Sequence, residues 1–364
     1  NPYLPKWEYI PDGEPRVFGD RIYVYGSHDN AGSDSFCDYV LKCWSAPLND
    51  LSKWTCHGEI FRTKAEKGRP ANTDWTGENN QLFAPDVVEK DGKYYLYAYI
   101  INATGCGGVS DRPEGPFKLL SKYKYTVPDE IFCNGWFIDP GVLVDDDGRV
   151  YIYCGFERSF MAEVSQNMYE ISGDTVIEHI IPIVPDKEHG FEEKESLFFE
   201  ACSPRKINGT YSLIYSPKQG SRLAYATSDK PTGPFTYRGY IVDNGVDYPG
   251  GNDHGSVACI NGQWYVFYHR MTNGTIMSRR GCVERIEILP DGTIPPVEMT
   301  SLGFEETLNP YEITPADIAC VLKGGATIIE KNVFERVIIN ITDGCEIGYK
   351  YYDFGDDFTG KNME

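Results

Sequence analysis

RKINGTYSLIY (205–215) holds a complete hairpin in one short stretch. Two runs of β-favouring residues meet at Asn208-Gly209, a dipeptide that supplies the positive φ angles of a two-residue turn. The same pattern returns four times, as FGDRIYVYG (18–26), VVEKDGKYYLYAY (87–99), VLVDDDGRVYIYC (142–154) and ACINGQWYVFYH (258–269). Asp91-Gly92, Asp147-Gly148 and Asn261-Gly262 repeat the tight-turn signal, and Gly19-Asp20 is a weaker form of it. The matching positions Asp20, Gly92, Gly148, Gly209 and Gly262 lie 72, 56, 61 and 53 residues apart. Each interval has room for about four short strands with their loops, the size of a propeller blade. The chain is therefore predicted to be all-β, with a five-bladed β-propeller over residues 1–300. KPTGPF (230–235) and RPEGPF (112–117) read as one outer-strand connection used in two blades.

After residue 300 the period stops. Residues 302–320 read as a linker, and ATIIEK, FERVIINI and EIGYKYYDFG read as three further strands. So few strands make a thin core, and 301–364 is expected to be a short, incomplete β-sandwich segment.

An ionisable residue stands ahead of every hairpin. Asp12, Asp86, Asp139, Glu200 and His254 precede the matching turn positions by eight, six, nine, nine and eight residues. The innermost strand of a blade starts near the central axis, so a ring of five blades would bring these residues together. Cleaving a glycosidic bond needs an acid for the leaving oxygen and a carboxylate that activates water or attacks directly. A third carboxylate beside the acid raises its pKa and keeps it protonated near neutral pH. Asp12, Asp139 and Glu200 fit those needs. Taken singly, Asp12-Gly13 and Asp139-Pro140 are ordinary turn dipeptides. Glu200 is a charge between Leu197-Phe198-Phe199 and Ala201-Cys202, so it must be paired, protonated or at an edge. Asp86 is expected to bond backbone amides at the axis. His254 is placed where a hard cation or water could sit. Calcium prefers oxygen donors, so an ion on His254 would need water for most of its shell. Asp145-Asp146-Asp147-Gly148 lacks the later ligands of a calcium loop and reads as a hairpin turn.

The formal net charge of −20 repels phosphate backbones and anionic bilayers, so neither nucleic acid nor a membrane is an expected partner. A neutral sugar is compatible with it. The chain holds 26 Tyr, 18 Phe and 6 Trp, residues that suit half-buried pleated surfaces and stack on flat ligands. Eleven cysteines, none in a C-x-x-C pair, include Cys154, Cys202 and Cys259 inside strand runs. They read as buried free thiols and point to a reducing cytoplasm. A first residue other than Met leaves processing and secretion open. Oligomeric state is not specified at this level.

With these segments in hand, the chain is similar to glycoside hydrolase family 43 over roughly residues 1–295. YIPDGEPRVFGDRIYVYGSHD (9–29), QLFAPDV (81–87), FIDPGVLVDDDG (137–148), FFEACSPRKINGTYSLIYS (198–216) and HGSVACINGQWYVFYHR (254–270) carry the resemblance, in order and at blade spacing. It implies hydrolysis with inversion and no organic cofactor. Asp12 would be the general base, with Glu14 as a nearby alternative, Glu200 the general acid and Asp139 its pKa modulator. His254 would hold a calcium ion or water cluster in the central channel. Arg279 would contact sugar hydroxyls, with Arg280 the alternative register. The family often has Trp where this chain has Phe83, so Trp75 or Trp136 becomes a candidate sugar platform beside it. The implied activities are β-xylosidase and α-L-arabinofuranosidase, acting from the chain end on xylo- or arabino-oligosaccharides. The tail EIGYKYYDFG is similar to part of a family 6 carbohydrate-binding sandwich. A sugar-binding propeller without turnover, and an endo-arabinanase or fructosidase on the same fold, are the alternatives. Trp-Asp and kelch repeats, the marks of an interaction propeller, are absent.

Overall fold

The computed structural model describes residues 1–122, 124–125 and 137–355. The first blade is β1 (Glu14–Phe18), β2 (Arg21–Gly26), β3 (Val40–Pro47) and β4 (Thr55–Arg62). The second is β5 (Leu82–Lys90), β6 (Lys93–Ile100), β7 (Cys106–Ser110) and β8 (Lys118–Lys122). The short β9 (Lys124–Tyr125) joins the outer edge of the third blade. That blade is built from β10 (Gly141–Val144), β11 (Val150–Cys154) and β12 (Phe160–Val164), with β13 (Glu170–Ile171) and β14 (Ile177–Glu178) pairing to β12. The fourth is β15 (Phe198–Ile207), β16 (Thr210–Pro217), β17 (Arg222–Ser228) and β18 (Thr236–Asp243). The fifth is β19 (Ser256–Ile260), β20 (Gln263–Thr272) and β21 (Thr275–Ile286). Beside β21, Pro2 bridges Cys282 and Val283 N–H donates to Asn1 O at 3.1 Å.

Four of the five repeated turns are two-residue hairpins, with Phe18 opposite Arg21, Lys90 opposite Lys93, Ile207 opposite Thr210 and Ile260 opposite Gln263. Asp91-Gly92, Asn208-Gly209 and Asn261-Gly262 all have positive φ at both residues, as a type I′ turn demands. The third turn departs from the expectation of a tight hairpin: Val144 faces Val150 across a longer loop. The cause is in the backbone: Asp145 N–H donates to Arg149 O at 2.8 Å and Gly148 N–H to Asp145 O at 2.9 Å, so three residues turn the chain, with Gly148 at φ 81° and Asp147 without a positive φ. RPEGPF and KPTGPF do connect the third strand to the fourth, in the second and fourth blades.

The strands read as nearly unbroken apolar runs because successive side chains serve different cores. In β2, Ile22 and Val24 pack toward the fifth blade, while Tyr23 and Tyr25 pack toward the second. In β11, Val150 and Ile152 face the second blade, and Tyr151 and Tyr153 the fourth. Five apolar clusters result, one between each pair of neighbouring blades, and the cluster joining the fifth blade to the first closes the ring. Burying one such side chain contributes about 1.5–3 kcal/mol, so the interblade seams hold the ring. Cys154 and Cys202 are buried free thiols as expected. Cys259 is not, because it is the one outward-facing residue of β19.

Beyond the propeller, β22 (Val321–Lys323) pairs with β25 (Glu346–Gly348), and β23 (Thr327–Asn332) with β24 (Glu335–Ile339). Leu322, Ala326 and Ile328 enter the same apolar cluster as Leu223, Val257 and Tyr268 of the fourth and fifth blades. The stretch read as a linker is anchored rather than loose: Arg280 Nη1 and Lys6 Nζ each lie 3.0 Å from the buried Asp317 carboxylate. Among the described residues no helix is long and apolar enough to cross a membrane.

Candidate active site

Asp12 and Asp139 each lie two positions before the first residue of an inner strand and carry positive φ, 55° and 51°. Glu200 lies inside β15, where the register with β16 shifts twice, between Phe198 and Glu200 and between Glu200 and Ser203. Ala201 at φ 68° completes this irregularity. A bulge re-aims side chains, and here the consecutive residues Phe199 and Glu200 both face one cavity. That cavity, of 380 Å³, has Asp12, Asp139, Glu200, Asn252, His254 and Arg279 as its polar lining. Its apolar lining is Phe36, Phe83, Tyr99, Ile101, Ile138, Phe156, Phe199 and Ile276.

Each group is held by its neighbours. Ser27 Oγ donates to Asp12 Oδ2 at 2.6 Å, and Arg279 Nη1 donates to Asp12 Oδ1 at 2.9 Å. The Arg279 guanidinium is itself clamped by Asp29, with Nε to Oδ2 at 2.9 Å and Nη2 to Oδ1 at 3.0 Å. His269 Nε2 faces the Asn252 carbonyl at 3.0 Å, so that nitrogen carries the proton and Nδ1 accepts Asp12 N–H at 3.3 Å. His254 Nδ1 lies 3.5 Å from Asp139 Oδ2 and 3.8 Å from Asp12 Oδ1.

The electrostatics divide the carboxyl groups. Burial raises Asp12, but the Arg279 charge and then the His254 charge outweigh it and hold Asp12 well below the usual carboxylate range. Burial and then the Asp139 charge push Glu200 up to about 8, against the pull of His254. Burial lowers His254, yet Asp139, by charge and hydrogen bond, and then Asp12 carry the imidazole up to about 9.

Asp86, the remaining carboxylate of the repeat, stands apart from the cavity. Arg16 grips it with Nε to Oδ1 at 3.0 Å and Nη2 to Oδ2 at 2.6 Å, and Val142 N–H donates to it at 2.7 Å. Glu14 pairs with Arg205 and accepts from Ser203 Oγ at 2.8 Å, so it is committed to the inner strands and not to the cavity. Arg279 lines the cavity, while Arg280, its neighbour on the opposite face of β21, pairs with Asp317. Of the aromatic candidates, Phe83 lines the cavity, edge-on to Tyr99. Trp75 does not: it packs on the apolar seam between the first and second blades, with Lys122 Nζ 4.1 Å above its ring. Trp136 lies outside the described residues.

A channel cation would find one protein ligand here. Among the described residues no group of three or more His, Cys, Asp or Glu side chains could hold a metal. Glu14, Ser203 and Ser256, the oxygen donors two or three positions beyond the site residues, bond one another or arginine. The donor set does not fit a caged ion, and an ion on His254 would have to displace the proton that Asp139 and Asp12 favour there.

Sequence reasoning passed over Phe36, Tyr99, Ile101, Ile138, Phe156, Phe199, Asn252 and Ile276 as lining residues, and Asp29 and His269 as supports. Asp29 and His269 do fall inside the quoted GSHD and FYH stretches. The loop residues Phe36 and Phe156 carry no comparable signal.

A closed ring of five blades with carboxyl groups of opposed character in one cavity frames a glycoside hydrolase. Residues 11–294 match glycosyl hydrolases family 43, and the chain belongs to that family. A xylosidase/arabinosidase of Thermoclostridium stercorarium is 41% identical over 402 aligned residues, which cover 97% of this chain and 82% of that protein. A family 43 β-xylosidase/α-arabinofuranosidase from a compost microbial metagenome, solved with xylotriose in a calcium-free form, is 29% identical at a TM-score of 0.65. That match covers 82% of this chain and 97% of the solved one. An α-L-arabinofuranosidase of Clostridium thermocellum is also 29% identical, at a TM-score of 0.60 over 79% of this chain and 93% of that one. The enzymes of this family need no organic cofactor.

Proposed function

We propose that this glycosidase removes a terminal pentose, β-xylose or α-L-arabinofuranose, from hemicellulose oligosaccharides with inversion at the anomeric carbon. One observation carries the mechanism: Asp12 and Glu200 line one cavity while their surroundings drive their pKa values apart. Asp12, ionised, takes a proton from water as that water attacks the anomeric carbon. Glu200, protonated, gives its proton to the departing glycosidic oxygen. Asp139 raises Glu200 by its charge. The xylosidase and arabinosidase names of the relatives support the substrate class.

Arg279 has a further part. Four of its five N–H groups go to Asp29, Asp12 and the Cys37 sulfur. The fifth, on Nη1, is left for a sugar hydroxyl. A calcium ion, when bound, would first need His254 to lose the proton that Asp139 and Asp12 favour, would take most of its shell from water and would add positive charge beside the carboxylates. The cysteine usage supports a cytoplasmic site of action.

Glu200→Gln and Asp12→Asn should each lower kcat on pentosides by about a thousandfold or more while the fold is kept. Proton NMR of the first product should show the anomer opposite to the substrate's. Net retention would overturn the mechanism. Binding without hydrolysis by the unmodified enzyme would favour a non-catalytic sugar-binding propeller.

A further inference from the structure

His28 stands between two residues that serve the catalytic cavity, yet its own side chain faces elsewhere. Ser27 Oγ donates to Asp12 and accepts Ala84 N–H at 2.7 Å. Asp29 clamps the Arg279 guanidinium and also accepts the backbone N–H groups of Arg279 and Cys37, at 2.9 and 3.2 Å. The His28 imidazole lines a second cavity, of 520 Å³, against β3 and β4 of the first blade. It lies between two carboxylates, with Nε2 3.2 Å from Glu8 Oε1 and Nδ1 3.4 Å from Asp38 Oδ2. Glu8 is fully buried and is fixed further by Trp44 Nε1 at 2.9 Å and Lys42 Nζ at 3.1 Å. Asp38 Oδ1 accepts Tyr39 N–H at 2.6 Å. The remaining charged groups of this cavity pair elsewhere, Arg62 with Glu59, Lys64 with Glu78 and Glu66 with Lys67.

A neutral imidazole has one N–H and can donate to only one of these carboxylates, whereas an imidazolium donates to both. Burial lowers His28, yet the bonds to Asp38 and Glu8 carry it above the 6.5 of an ordinary imidazole, against the Lys42 charge. Burial raises Asp38, but the His28 bond and then Tyr39 N–H bring it down to about 2, so it is ionised wherever His28 titrates. The bridge reaches the base through Asp38. The two residues before it, Phe36 and Cys37, back Arg279, with the Phe36 ring 4.8 Å from the guanidinium and Cys37 Sγ 3.4 Å from Nη2. Cys37 has φ 63°, a left-handed conformation that a residue other than glycine keeps only where its surroundings impose it. The His28–Asp38 contact thus joins the segment that bonds Asp12 to the loop that backs Arg279. We propose that His28 is a positioning residue for Asp12 and Arg279, a proton-dependent pin that ties Asp38 to Glu8 while the imidazole is charged. This rests on the glycosidase reading above and adds to it a residue outside the catalytic cavity. The pin is full below pH 6.5 and is lost as pH rises through the raised value of His28.

The test follows kcat/KM against pH on nitrophenyl xyloside or nitrophenyl arabinofuranoside, whichever the unmodified enzyme accepts. His28→Gln does not titrate and carries its donors on one nitrogen, and Asp38→Asn removes the charge at the far end of the bridge. Each should lower kcat/KM about fivefold below pH 6.5. The ratio to the wild type should return toward one above the imidazole transition, where the wild type has lost the pin as well. That ratio cancels the alkaline fall set by Glu200, which all the enzymes share. The double variant should be no worse than either single one. Proton NMR of the imidazoles, with His28 assigned by the signal missing from His28→Gln, should show a titration above 6.5 that moves down in Asp38→Asn. If His28→Gln is shown by its melting temperature to fold poorly, Asp38→Asn carries the comparison. A loss that is the same at every pH, losses that multiply in the double variant, or a His28 that titrates at or below 6.5 would overturn the pin. If the unmodified enzyme cleaves neither pentoside, the glycosidase reading falls, and the imidazole titration alone decides whether the pin exists.

Discussion

Glu200 and Asp12 are both carboxyl groups of one cavity, and their neighbours push them in opposite directions. Burial and Asp139 hold the proton on Glu200 up to about pH 8, while Arg279 and His254 keep Asp12 ionised far into acid. The kcat/KM profile should therefore fall on its alkaline side with an apparent pKa of about 8. On its acid side it should stay flat until the protein itself unfolds. The same shift has a consequence for stability. A pKa raised from 4.5 to about 8 means that the folded protein favours the protonated acid. That contribution is full below pH 4.5 and is lost as pH rises toward 8. Glu200→Gln cannot ionise, so its melting temperature should gain on the wild type across that window and level off above it. A constant difference at all pH values would show that Glu200 is not proton-loaded in the fold.

At the scale of elements, the hairpin of β20 and β21 places two cavity residues, Ile276 and Arg279, and its tip is held by β23. Asn273 N–H donates to Ile328 O at 2.8 Å, Glu330 N–H donates to Asn273 Oδ1 at 2.6 Å, and Asn273 Nδ2 donates to Ser278 Oγ at 2.7 Å. Asn273 has φ 56°, so glycine preserves the backbone while deleting these side-chain bonds. Asn273→Gly should cost about 2 kcal/mol of stability. It should also cost about tenfold in kcat/KM through a displaced Arg279. An unchanged kcat/KM with lowered stability would make the brace purely structural. This element also marks the boundary of what is legible in the sequence. Two-residue turns leave Asn-Gly and Asp-Gly behind, so the hairpins and their leading residues could be read directly. Phe199 and Glu200 face the same way only because a bulge breaks strand alternation, which strand periodicity does not encode. Phe36 and Phe156 come from loops whose course is set by distant partners. Trp75 was a reasonable sugar platform by residue type, but the seam between two blades claimed it.

Across the whole molecule, the ring and the segment after residue 300 share a core. Arg270 is 1% exposed and reaches out of the fifth blade to the later segment. Its Nη2 donates to Asp317 O at 2.6 Å and its Nη1 to Ala319 O at 2.7 Å, while its guanidinium lies 4.8 Å from the Tyr248 ring. Ala319 and Cys320 then lead into Leu322, Ala326 and Ile328, which pack among the fourth- and fifth-blade residues. Arg270→Met keeps the bulk but leaves two buried carbonyls without donors, at about 1–3 kcal/mol for each such group. If the two regions are one folding unit, this loss should lower a single calorimetric transition by several degrees, with the β22–β25 segment and the blades melting together. Limited proteolysis near residue 300 should not release a stable propeller below that temperature. Two separated transitions, with the larger one at the wild-type temperature, would mean that the tail only rests on the propeller and that the shared core adds nothing to the ring's stability.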